Sequence, residues 1–342
     1  MLVVDSRCEK LKLHPSLGWP LVNAGPHAKQ LLHVRDGVVY VSDDDGETCY
    51  PDSTTKLECK SPAMQTLFRS ERGTLIHQAV TPCEVHYDGE RISKRSRAPV
   101  QIARSTDYGK TWSDPQVIFN GYSGYASEMI QTASGRILVP VQCYLFKENR
   151  FTQTAYYSDD EGETWTRAES TLDNPDARGH HDGIFEGAVV ELRDGELLMY
   201  CRTSLDRMDI ARSRDDGEGW HRAWVMNDAS SSPCAVLSLV SGAILMCFSR
   251  AAPQTRIGLY SSSMRGTSAT VCSWHREELS LRWGTREADG LAWTRQEIFA
   301  YDRENYLSYP RLFERRVGEV WISTAYQGRL AVKLFETEFV RS

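Results

Sequence analysis

One eight-residue pattern, Ser-x-Asp-x-Gly-x-Thr-Trp, recurs along this chain and constrains its fold more than any other feature. It reads as Ser42-Asp44-Gly46-Thr48 with Cys49 in the Trp place, Ser105-Asp107-Gly109-Thr111-Trp112, Ser158-Asp160-Gly162-Thr164-Trp165, and Ser213-Asp215-Gly217-Gly219-Trp220. A degenerate fifth copy, TREADGLAW, ends at Trp293. Each full copy follows an apolar strand run such as VVYVS or PVQIARS, so the pattern predicts a turn between two strands. Asp accepts turn hydrogen bonds, Gly takes a positive φ, and Trp packs beneath. These residues therefore read as architecture, and no chemistry is assigned to them.

The copies lie about 53 to 73 residues apart, room for one small antiparallel sheet each. Between them a second unit recurs, an apolar strand, a Gly-containing turn and another apolar strand. It appears as SPAMQTLFRSERGTLIHQAV, SEMIQTASGRILVPVQC, FEGAVVELRDGELLMYCR, SPCAVLSLVSGAILMCFSR and SYPRLFERRVGEVWISTAY. No Pro, Gly or Ser-rich linker interrupts the series, so residues 1–342 are expected to form a single domain. Two insertions stand out, Thr81 to Arg97 and Ser261 to His275, and loops that lengthen on a repeat scaffold gather on its binding face.

Composition removes several classes of function. Net charge is -6 and the pI is near 5.9, with no basic stripe, which argues against a nucleic-acid partner. The one basic cluster, Arg91 to Arg97, reads as a solvated loop. No apolar run approaches the roughly 20 residues of a membrane span. The nine cysteines are scattered singly and include no CxxC pair, so neither a disulfide framework, a zinc site nor a cofactor is expected. MLVVDSRCEK lacks the basic start and apolar segment of a signal peptide, giving a cytoplasmic expectation for the sequence as written; a preceding leader would make it secreted or periplasmic.

The stretch from Phe185 to Arg202 is the first candidate for chemistry. Val189 to Leu192 and Glu196 to Arg202 read as strands joined by the Asp194-Gly195 hairpin signal. In an antiparallel pair the start of the first strand lies beside the end of the second, so Glu186 and Arg202 can share one rim.

The repeat resembles the Asp-box, or BNR repeat, of the sialidase-like β-propellers, and it covers nearly the whole chain. The resemblance implies an all-β, six-bladed β-propeller of four-stranded antiparallel blades with Asp-box turns. Five blades are visible as the five inner hairpins. The sixth is expected to form when strands around Leu31 to Tyr50 pair with carboxy-terminal strands and close the ring, with seven blades as the alternative.

The same resemblance implies a site. Sialidase-like enzymes hold a substrate carboxylate with three arginines, use a tyrosine nucleophile assisted by glutamate, and use an aspartate as acid/base. A guanidinium fork suits a carboxylate, and a neutral tyrosine avoids repulsion at an anomeric centre that already carries one. Carried onto this sequence, Glu186 is the base, Arg202 one clamp, Tyr309 in LSYPRLFE the nucleophile, and Arg276 a second clamp with Arg256 competing. Where the family has Arg-Ile-Pro this chain has Lys60-Ser61-Pro62, so Lys60 would be a point charge in place of a fork. Asp88 is the first acid/base candidate and Glu84 the second. His181 and Asp182, in the Arg178-Gly179-His180-His181-Asp182 run, are candidates for substrate hydrogen bonding; adjacent histidines on a strand point to opposite faces and do not make a metal site.

The implied activity is exo-acting removal of a terminal acidic sugar, sialic acid first, from a carbohydrate substrate with retention of configuration. A hydrolase or lyase acting on another carboxylated sugar, and a non-catalytic glycan-binding propeller, are the competing expectations.

Overall fold

The computed structural model describes residues 2–17, 19, 21–23, 30–52, 57–58, 64–89, 91–176, 183–251, 259–261, 271–273, 276–287, 290–302, 307–324 and 330–340. It is a six-bladed β-propeller, and a single helical turn, Glu336–Phe339, is the one helix among the described residues. Blade 1 is built from Leu21–Asn23, Leu31–Arg35, Val38–Ser42 and Tyr50–Asp52. Blade 2 starts at Gln65–Arg69, blade 3 at Ile130–Gln131, blade 4 at Phe185–Glu191, blade 5 at Ala235–Ser238 and blade 6 at Pro310–Arg316. Within blades 1 to 4, strands follow one another as an antiparallel meander, and the first three strands of blade 6 do the same.

Both faces of a blade are covered by its neighbours, so the inner strands read as nearly continuous apolar runs. In blade 4, Val189, Leu197, Met199 and Cys201 pack toward blade 3, while Val190, Leu198 and Tyr200 pack toward blade 5. This is the two-residue period of a strand with both of its faces buried. Six apolar clusters fill the six junctions. The last joins Trp321 and Phe313 of blade 6 to Leu21 and Leu31 of blade 1.

The expected closure is corrected here. Leu31 to Tyr50 do not pair with the carboxy-terminal strands; they pair with one another as three strands of blade 1, whose first strand, Leu21–Asn23, is too short to register as an apolar run. Glu9–Lys10 supplies the fourth strand of blade 6 by pairing with Lys333 and Val332, and Leu2–Val4 adds an outer strand to blade 5. The Thr81 to Arg97 insertion accordingly belongs to the second blade.

The four full boxes fold alike. In the third, Ser158 Oγ donates to Asp160 Oδ1 at 2.8 Å and accepts from the Gly162 N–H at 2.8 Å. Asp160 accepts from the Thr164 N–H at 2.8 Å and from its hydroxyl at 2.5 Å, and Trp165 Nε1 donates back to the Gly162 carbonyl at 3.2 Å. Gly162 has φ +82°, and a Cβ there would sit 2.8 Å from Ile76 Cδ1 of the preceding blade. The degenerate fifth copy forms a plain hairpin instead, Glu287 pairing with Gly290 and Gly284 with Trp293.

Meander topology separates the two ends of the blades. The boxes join third to fourth strands, at the same end as the turns between first and second strands. The opposite end collects the starts of first strands, the ends of second strands and the connections from second to third. Glu186, Arg202, Arg276 and Tyr309 all fall at that opposite end. The Thr81 to Arg97 insertion also departs from it, joining the second and third strands of blade 2, whereas most of the Ser261 to His275 insertion lies outside the described residues.

Candidate active site

Three blades bring the central cluster together. Glu186 lies in the first strand of blade 4, where Phe185 pairs with Arg202 and Ala188 with Tyr200, so Glu186 and Gly187 stand opposite the single Cys201. This β-bulge re-aims the glutamate side chain, and Glu186 takes φ 49°, in the left-handed region. Arg202 ends the paired strand, 1% exposed, with its guanidinium carbon 4.7 Å above the Phe185 ring. Tyr309 immediately precedes the first strand of blade 6 and is also left-handed, at φ 56°.

Tyr309 donates its phenol proton to Glu186 Oε1 at 3.1 Å, across 123 residues of sequence. Arg202 Nη1 donates to Glu186 Oε2 at 2.8 Å and lies 3.4 Å from the Tyr309 oxygen. Arg276, at the connection into the third strand of blade 5, places its guanidinium carbon 5.3 Å from the Tyr309 ring centre. It donates to the Ser231 carbonyl at 3.2 Å, while Arg202 Nε donates to the Ser231 hydroxyl at 3.1 Å. One fully buried serine therefore braces both arginines.

Burial pushes the Tyr309 phenol above its ordinary pKa, and the Glu186 carboxylate adds to the rise, while Arg202 and Arg276 oppose it. The phenol is thus neutral at neutral pH and already hydrogen-bonded to a proton acceptor. Burial, and then the nearby Arg202 charge, bring Arg276 down to about 10, so it remains a cation at neutral pH. Two guanidinium groups and one carboxylate surround a single phenol.

Behind Tyr309 stands a second layer. The Tyr125 ring lies 5.8 Å from the Tyr309 ring, and Arg311 lies over Tyr125 at 5.7 Å while pairing with Glu128 and donating to the Ala126 carbonyl at 3.2 Å. Arg311, on the first strand of blade 6, is thus engaged by the segment that leads into blade 3.

Of the remaining expected residues, Asp88 lies on a small hairpin, Tyr87–Asp88 with Arg91–Ile92, inside the Thr81 to Arg97 insertion. Its side chain is 66% exposed and pairs with Arg95 at 3.6 Å. Glu84 joins the same insertion through backbone hydrogen bonds with Arg97. The contacts of both are local to the insertion, so the fold puts them at the correct end of the blades without linking them to Tyr309. Lys60, His180, His181, Asp182 and Arg256 lie outside the described residues. Ser231 and Tyr125 were missed by sequence reasoning. The Ser230-Ser231-Ser232 run before an apolar strand was the available signal for the first, because three consecutive serines there are all buried.

A family described as "BNR repeat-like domain" matches residues 54–322. The chain belongs to that family. Among curated relatives, a sialidase of Paraclostridium sordellii is 29% identical over 156 residues, covering 41% of this chain and 33% of its own length. The chain therefore spans about a third of that relative. Solved structures share the fold, among them two that match this chain almost end to end. The NanB sialidase from Streptococcus pneumoniae superposes with a TM-score of 0.60 at 13% identity, over 97% of this chain and 70% of that one. A protein of unknown function from Dyadobacter fermentans gives 0.57 at 16% identity, over 97% and 96%.

Proposed function

We propose that this BNR-repeat protein is an exo-acting, sialidase-type glycoside hydrolase that removes a terminal acidic sugar, sialic acid foremost, with retention of configuration. The observation that carries the reading is the 3.1 Å hydrogen bond from Tyr309 to Glu186 beside Arg202 and Arg276. The arginine forks suit the substrate carboxylate. The Tyr309 oxygen attacks the anomeric carbon as its proton passes to Glu186, so no free phenolate has to form near a carboxylated sugar. The leaving oxygen takes a proton from an acid for which Asp88, on the insertion at the same end, is the candidate. Water then cleaves the tyrosyl–sugar bond, with the same acid acting as base and Glu186 returning the proton to Tyr309. Lys60, His181 and Asp182 complete the proposed substrate-binding set.

The test is release of sialic acid from a fluorogenic sialoside. Tyr309→Phe and Glu186→Gln are each expected to lose about a thousandfold or more in kcat, as removal of one member of a nucleophile–base pair does. Full turnover in both variants would remove these two residues from the chemistry. A product absorbing in the ultraviolet through a new double bond would point to elimination instead.

A further inference from the structure

The bulge that carries Glu186 is held from the neighbouring blade by two side chains that sequence reasoning passed over. Gln142 and Gln153 stand directly opposite each other on the second and third strands of blade 3, and both are buried, at 4% and 0% exposure. Gln142 Oε1 accepts the backbone N–H of Glu186 at 2.8 Å, and Gln153 Oε1 accepts the N–H of Gly187 at 3.1 Å. Their amide groups are themselves anchored. Gln142 Nε2 donates to the Ser123 carbonyl, and Gln153 Nε2 donates to the Thr154 carbonyl at 2.9 Å.

A bulge takes two residues out of the ladder, and its buried N–H groups must find other acceptors. Here both acceptors are side chains of another blade, so the bulge is fixed relative to that blade as well as to its own strand. The following residue, Gly187, is tightly surrounded. A Cβ at Gly187 would meet Met199 Sδ at 3.0 Å and Gln153 Cδ at 3.1 Å. A left-handed glutamate is strained, and such a conformation persists where its surroundings over-determine it.

We infer that Gln142 and Gln153 are positioning residues that clamp the Glu186–Gly187 bulge in its left-handed form and so aim the Glu186 carboxylate at the Tyr309 hydroxyl. The kinetic consequence rests on the glycosidase reading above; the structural consequence does not. Gln142→Met and Gln153→Met remove the acceptors while keeping similar volume. Gln142→Glu keeps an acceptor at the Glu186 N–H and, protonated in this buried place, a donor to the Ser123 carbonyl, and so serves as the rescue.

Two measurements separate the possibilities. Hydrogen–deuterium exchange of the peptide spanning residues 183–192 needs no activity; it is expected to speed up about tenfold or more in either Met variant, with blades 1 and 6 unchanged, because a protecting hydrogen bond is lost. On the fluorogenic sialoside, kcat is expected to fall about ten- to a hundredfold with KM within about threefold of wild type, the pattern of a misplaced catalytic group. Gln142→Glu should recover most of the kcat lost in Gln142→Met. Unchanged exchange in both Met variants overturns the clamp. Faster exchange with unchanged kcat in an active protein overturns its positioning role. If wild type itself cleaves no sialoside, the proposed activity fails, and the exchange measurement still decides whether the clamp exists. Should either Met variant fail to fold, the other single variant with Gln142→Glu carries the comparison.

Discussion

Of the ten left-handed residues other than glycine among the described residues, six fall in two contrasting settings. At the box turns, Asp45, Tyr108, Glu161 and Asp216 each precede the box glycine with φ between 55° and 62°. At the opposite end, Glu186 and Tyr309 take φ 49° and 56° and meet across 123 residues. In the boxes the backbone turn is set by neighbours within a few positions, Ser and Asp each time and Thr in three of the four, while the side chains of Asp45, Glu161 and Asp216 reach out to an adjacent blade. At the site the strained residue is held by other blades. A local hydrogen-bond set can repeat wherever its short sequence repeats, whereas a conformation enforced from another blade can exist only once. That difference explains why the box repeats around the ring and why the Glu186–Tyr309 cluster is not repeated with it.

Acid should act most strongly in the blade core beneath a box, at a histidine whose ring packs edge-on to Trp112. His77, on the second strand of blade 2, is fully buried against Gln65, and burial lowers its pKa from 6.5 to about 3. Between those values the unfolded chain binds a proton that the folded protein refuses. The stabilisation is complete above 6.5 and is lost as pH falls toward 3, at about 1.4 kcal/mol per pH unit once well below 6.5. The box carboxylate Asp44 is held below its ordinary pKa by the Thr48 hydrogen bonds, so the turns keep their hydrogen bonds further into acid. Urea midpoints at pH 6.5 and 4.5 should therefore diverge, and His77→Gln should flatten the difference. Equal pH slopes in wild type and variant would break this account.

A box substitution tests the contrast from the other side. Asp160→Ala removes the acceptor of the Thr164 N–H and hydroxyl and of the Ser158 hydroxyl, and is expected to cost about 1–2 kcal/mol. Turnover per folded molecule on the fluorogenic sialoside should stay unchanged, because no box residue enters the Tyr309 cluster. A loss of kcat in fully folded Asp160→Ala would show that the two ends are coupled.

The smallest effect concerns the fourth box, where Gly219 stands in the Thr place. Its N–H still reaches Asp215 Oδ1 at 2.9 Å, but the hydroxyl contact made by the other three boxes is missing. Gly219→Thr is expected to raise stability by about 0.5–1 kcal/mol through that hydrogen bond and a stiffer chain. The new Cβ approaches Asp215 Oδ2 at 2.8 Å, so the carboxylate must turn slightly to accept it. A melting temperature at or below wild type would indicate that it cannot.

The sequence by itself determined the blade repeat, the box turns and the pairing of Glu186 with Arg202 across one hairpin, because each depends on residues close together in the chain. It also supplied Tyr309 and Arg276 as candidates through family resemblance. Only the tertiary structure decided which strands close the ring, since a three-residue strand such as Leu21–Asn23 and a two-residue strand such as Glu9–Lys10 carry too little pattern to be read. It likewise decided the contact between Tyr309 and Glu186, the bracing of Arg202 and Arg276 by Ser231, and the grip of Gln142 and Gln153 on the bulge. Buried polar groups must find partners wherever the fold brings them. The identity of those partners is a property of how blades 3 to 6 meet, which no local stretch of sequence encodes.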